Sequence, residues 1–137
     1  MNKVIEASIA INAPVSKVWD VFVKPEVTRR MGGEYVSDWQ VGGPFGFKMG
    51  GSMITHGKIL AFEPQRRLQH SLLSPDDDTV ISTVTYTLET DSDRTILTGR
   101  EKLAKPLDDT GYAEALEGWN AALAAVKNVA ESYETIT

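Results

Sequence analysis

Between Asp109 and Tyr133 the chain spells out one long helix with two unlike flanks. Tyr112, Leu116, Trp119, Leu123, Val126, Ala130 and Tyr133 recur at alternating steps of three and four, which sets them on one stripe. The neighbouring stripe, Gly111, Ala115, Gly118, Ala122, Ala125 and Val129, is nearly all small, while Glu114, Glu117, Lys127, Asn128 and Glu131 fall toward the other side. Asp109 suits the N-cap. At about 1.5 Å per residue this helix is about 37 Å long, and its apolar side needs a broad surface to lie on. Trp119 and Leu123 fill space, whereas Gly118 and Ala122 beside them either admit a strand or leave a void. An apolar void is a ligand site.

The preceding residues supply that surface. Val4 to Ile11 alternates after Ile5, with Ala7, Ile9 and Ile11 opposite Glu6 and Ser8, as a half-buried strand does. Asn12 or Ala13 can cap a short helix with Pro14 in its first turn, and Val15, Val18, Trp19 and Phe22 form its apolar side. Lys24-Pro25 breaks it, Glu26 to Met31 makes a second short helical turn, and Gly32-Gly33 ends that.

Strands and turns follow. Tyr35 to Val41 reaches a turn at Gly42-Gly43-Pro44, after which Phe45, Phe47 and Met49 alternate with Gly46 and Lys48. Ser52 to Phe62, Arg67 to Leu73, Val80 to Glu89 and Arg94 to Leu103 are the remaining strands. Hairpin-linked strands with segregated helices predict an α+β domain: an antiparallel sheet, curled around the terminal helix, with two short helices after the first strand.

With 137 residues, 42% hydrophobic and 24% charged, the chain is one globular domain, residues 1–137, with a substantial core. A formal charge of -5, and no basic run beyond Arg29-Arg30 and Arg66-Arg67, leave nucleic-acid binding unsupported. No cysteine is present, so disulfides, thiolate metal sites and thiol nucleophiles are excluded. Met1 to Ser8 lacks an apolar signal core, and no apolar run is long enough to span a bilayer, so a cytoplasmic soluble protein with no membrane partner is expected. The two histidines, His56 and His70, have neither zinc-ligand nor nucleophile spacing, the glycine pairs open no phosphate-binding helix, and Asp76-Asp77-Asp78 lacks a calcium loop's alternation. No metal or cofactor is expected.

Ile11-Asn12-Ala13-Pro14 followed by Val18-Trp19-Asp20 resembles the opening of START-like, polyketide-cyclase-like helix-grip proteins, the SRPBCC superfamily. Gly42-Gly43-x-Phe45, Gly57-x-Ile59, Glu63-Pro64-x-Arg66-Arg67-Leu68, Ser82-x-Val84-Thr85 and Gly118-Trp119-x-x-x-Leu123 follow in that family's order. Together they look like the branch named for the activator of the heat-shock chaperone ATPase, over nearly the whole chain. Where many relatives carry a Trp in the second short helix, this chain has Arg30-Met31-Gly32. The resemblance implies about seven antiparallel strands gripping the C-terminal helix, with a cavity between them that binds apolar small molecules in many members and hosts chemistry in a few.

The expected cavity wall is Trp39, Phe47, Met49, His70, Tyr86, Glu101, Trp119 and Leu123. His70 shares a strand face with Leu68 and Leu72, and Glu101 shares one with Leu97, Gly99 and Leu103. An unpaired carboxylate there is costly to bury, and a buried Trp119 indole N–H needs an acceptor. With one strand between them, His70 and Glu101 stand roughly 9–10 Å apart, too far for a direct hydrogen bond. Tyr86, on that intervening strand, either packs in the core or offers a phenol between them. No catalytic residue is assigned. The expected role is binding of a small, mainly apolar molecule; the alternatives are a co-chaperone-like activator of a heat-shock chaperone ATPase or a cyclase- or hydrolase-like enzyme. Exposed edge strands are compatible with a homodimer.

Overall fold

The computed structural model describes residues 2–132. Strand β1 (Asn2–Ile11) leads into helix α1 (Val15–Val23) and helix α2 (Pro25–Thr28), which tightens into a 3-10 turn at Arg29–Met31. Six strands follow: β2 (Glu34–Ser37), β3 (Pro44–Met49), β4 (Ser52–Glu63), β5 (Arg67–Leu73), β6 (Val80–Asp91) and β7 (Arg94–Leu107), then helix α3 (Asp109–Ser132). All seven strands form one antiparallel sheet in the order β1-β7-β6-β5-β4-β3-β2. β1 and β2 are thus opposite edges, and α1 with α2 carries the chain across the sheet between them. This is the expected α+β helix-grip arrangement. Tyr133, the last member of the long stripe, lies outside the described residues.

The ends of the elements follow local chemistry. Pro14 itself is the N-cap of α1, at φ -68° and ψ 156°, and its carbonyl accepts from Lys17 N–H at 3.0 Å. The cap thus lies one residue beyond Asn12 or Ala13, because proline's fixed φ suits the extended cap as well as the first turn. Lys24, held extended by the following Pro25, ends α1, and Gly32 at φ 98° ends the 3-10 turn in a left-handed conformation that glycine adopts without cost. At α3, Asp108 rather than Asp109 is the cap: its Oδ1 accepts from Gly111 N–H at 2.7 Å.

β2 stops at Ser37, short of the expected Val41. Trp39 has φ 57°, which no strand accommodates, and its N–H bonds the Ser37 hydroxyl at 3.0 Å instead of a ladder partner. A second irregularity lies in β4, where a register shift between Ile59 and Ala61 turns both Ile59 and Phe62 toward the core.

The core forms where α1, α3 and the concave sheet face meet. Ile11, Val18, Phe22, Leu97 and Leu123 are all buried there. Buried Thr95 bonds the Ala13 carbonyl at 2.9 Å, tying the start of β7 to the β1–α1 turn. α3 leans mainly on β1, with lesser contact to α1 and β7. Its C-terminal half is also held by polar ties, since Lys127 Nζ reaches the Ala10 carbonyl at 3.0 Å and Glu131 accepts from Asn12 N–H at 2.7 Å.

Candidate functional site

Because α3 rests on the β1 side, the middle of the sheet is not filled by the helix. A cavity of about 340 Å³ lies there, between α3 and the concave faces of β3 to β7. Phe47, His70, Tyr86, Glu101, Trp119 and Leu123, six of the eight expected wall residues, line it. Trp39 and Met49 do not. The left-handed backbone at Trp39 directs its ring onto Phe45 and Phe62, at centroid distances of 6.1 and 5.8 Å. Met49 closes β3 beyond a register shift between Phe47 and Lys48 and is 46% exposed.

The wall also contains residues that the sequence reading passed over. Tyr35 and Phe45 extend the aromatic lining on β2 and β3, and Val84 lies one alternation before Tyr86. Ala122 and Ala125 belong to the small stripe of α3 and line the cavity as that stripe suggested, whereas Gly118 is exposed with nothing near its Cα. Met31, beside the Arg30 and Gly32 of the divergent second short helix, contributes the thioether. The close approach comes from the opposite side. A Cβ added to Gly99 of β7 would run into the six-membered ring of Trp119, so only glycine there lets the indole come this close to the strand.

Trp119 Nε1–H donates to Glu101 Oε1 at 3.0 Å. The half-buried indole and the carboxylate on the apolar face therefore satisfy each other. Glu101 has no other hydrogen-bond or ion-pair partner among the described residues, and its second oxygen is not sealed off. Tyr86 packs against Trp119 at 5.6 Å and against Phe22 at 4.8 Å, so core packing and cavity lining are one role for this ring. Its hydroxyl bonds that of Tyr35. Burial raises Tyr35 to about 12, and Tyr86 is also pushed up by burial, with further contributions from Tyr35 and Glu101. Neither phenol ionises near neutral pH.

His70 is 4% exposed and stacks on Phe45 with ring centroids 3.9 Å apart. Burial lowers its pKa to about 4, so the imidazole is neutral at pH 7. Nδ1 lies 3.1 Å from the Ser71 carbonyl, which fixes the proton on that nitrogen and leaves Nε2 as an acceptor. His70 pairs with Val84, and Val84 with Glu101, so one residue separates the two polar side chains along the row. No preassembled acid–base couple exists between them. Among the described residues, no group of three His, Asp or Glu side chains could hold a metal ion, and no helix is long and apolar enough to cross a membrane.

No curated protein matches the chain in sequence. Among solved structures, DynU16 from the dynemicin biosynthetic locus superposes with a TM-score of 0.83 at 18% identity, covering 96% of this chain. The chain spans 48% of the length of DynU16. CalU16 of Micromonospora echinospora gives 0.74 at 26% identity, with 94% of this chain and 76% of that one covered. The Aha1 dimer of Colwellia psychrerythraea gives 0.78 at 16% identity, over 96% and 98% of the two chains. The family model described as "activator of Hsp90 ATPase homolog 1-like protein" matches residues 12–131. With seven antiparallel strands around a terminal helix and a match over most of its length, the chain belongs to this Hsp90 ATPase activator-like family, a polyketide-cyclase-like branch of the helix-grip fold.

Proposed function

We propose that the domain binds one small, mainly apolar molecule between the sheet and α3. The observation that carries this is the cavity itself: about 340 Å³, walled mainly by aromatic and aliphatic side chains, with a few placed polar groups in Glu101, His70 and the Tyr35–Tyr86 pair. That composition is the usual one for a small-molecule site. Such space is unfavourable to leave empty, since its lining forgoes packing contacts on one side.

Nile red, an uncharged apolar dye, should bind saturably at one site per chain and gain fluorescence. Ala125→Phe, which places a ring in the cavity, should abolish this while leaving the circular dichroism spectrum unchanged. Equal, non-saturating fluorescence from both proteins would refute the reading. Native mass spectrometry of protein purified without denaturation should then show the natural occupant as a mass increment. Stimulation of a heat-shock chaperone ATPase by the domain, with Ala125→Phe equally active, would instead favour the co-chaperone role.

A further inference from the structure

Granted an apolar occupant, the one charged group left over on the described wall, the Glu101 carboxylate, is an acceptor, while Thr55 and one hydroxyl of the Tyr35–Tyr86 pair can donate or accept. Among the described residues Glu101 is the only one lining the cavity with a formal charge, and no Lys or Arg lines it to oppose that charge. One of its oxygens takes the indole proton of Trp119, and the other has no protein donor among the described residues. His70 spends its proton on the Ser71 carbonyl and presents a lone pair, and the Tyr35 and Tyr86 hydroxyls bond each other.

An anionic occupant, or one without a donor, would leave the free Glu101 oxygen unpaired, and a neutral donor would leave its charge unopposed. A cation would satisfy it. The rings of Trp119, Tyr86 and Phe47 around the same space offer negative π-faces to a positive nitrogen. Anchored by the indole, the carboxylate is already oriented, and its hydrogen bond to a charged donor is among the stronger kinds.

From this arrangement we infer that the cavity selects an apolar molecule bearing a protonated amine, with the ammonium on Glu101 and the apolar body lying across Val84 toward His70; this inference rests on the binding role proposed above. Val84 stands between the two polar residues in register, so a single head group reaches Glu101 and not His70. An arylalkyl chain of a few carbons fits that layout.

The test is displacement of Nile red at pH 7 by three near-isosteric competitors: 4-phenylbutylamine, 4-phenylbutan-1-ol and 4-phenylbutyrate. The amine should displace the dye at about tenfold lower concentration than the alcohol, the size expected of one charge-assisted hydrogen bond, and the carboxylate should be weakest. Glu101→Gln keeps an acceptor for the Trp119 N–H but removes the charge. It should bring amine and alcohol to within about twofold of each other, chiefly by weakening the amine. If the alcohol or carboxylate matches the amine on the wild type, or if Glu101→Gln keeps the amine preference, the inference is overturned while apolar binding stands. Failure of the wild type to bind Nile red at all would overturn both.

Discussion

Burial of His70 couples the stability of the domain to pH with a sign and size that follow from the structure. The ring is 4% exposed, and its folded pKa is about 4 against 6.5 for a free histidine. Above pH 6.5 the imidazole is neutral in both folded and unfolded chains and costs nothing. As the pH falls from 6.5 toward 4, the unfolded chain takes up a proton that the folded chain cannot, so stability is lost across that window and no further below it. Each unit of the gap is worth about 1.4 kcal/mol, which makes the full loss about 3 kcal/mol and the part between pH 7.5 and pH 5.0 about 2 kcal/mol. Acidic side chains titrate over the same range, so the comparison must be with a variant that keeps them. His70→Phe retains a ring to stack on Phe45 and has no proton to bind. Urea unfolding followed by tryptophan fluorescence, at both pH values for both proteins, isolates the histidine. Wild type should lose about 2 kcal/mol more than His70→Phe on acidification. Parallel losses would mean that His70 protonates freely in the folded state, and the neutral acceptor assigned to it would be wrong.

Two further substitutions probe the wall. Gly99→Ala forces the Trp119 ring off β7 and strains its bond to Glu101; it should destabilise by about 1–3 kcal/mol in urea and alter tryptophan emission, and an unchanged spectrum would place the indole elsewhere. Ser82 is 2% exposed and its hydroxyl has no hydrogen-bond partner among the described residues, so Ser82→Ala should raise stability by up to about 1 kcal/mol in the same assay, and a clear loss would show that a partner exists.

The strand order and the long helix could be read from the residues because each is repeated many times over: alternation in β6, paired glycines at turns, and threes and fours along α3. Single positions were harder. Asn12, Ala13 and Pro14 all tolerate a cap, and adjacent Asp108 and Asp109 are chemically the same, so only the backbone path chooses between them. The positive φ at Trp39 is imposed by the turn that returns β2 to β3, and no local pattern announces it in a bulky residue. The register shifts in β3 and β4 likewise break an alternation that the sequence continues, which is why Met49 looked inward and Phe62 was not singled out. His70, Tyr86, Glu101, Trp119 and Leu123 lie on regular elements, where alternation and the three-four step indicate which way each faces. Gly99 carries a role that depends on a helix twenty residues later, and its own neighbours say nothing of it.

The placement of β1 has a consequence for how the molecule comes into being. Its ladder partner is β7, and Ser8 meets Thr98 at a separation of 90 positions along the chain, with hydroxyl oxygens 2.8 Å apart. Made before the strand it pairs with, this edge must wait, greasy side uncovered, while the five strands between them are synthesised. Closing so large a loop costs entropy, so the β1–β7 seam is the one expected to zip last.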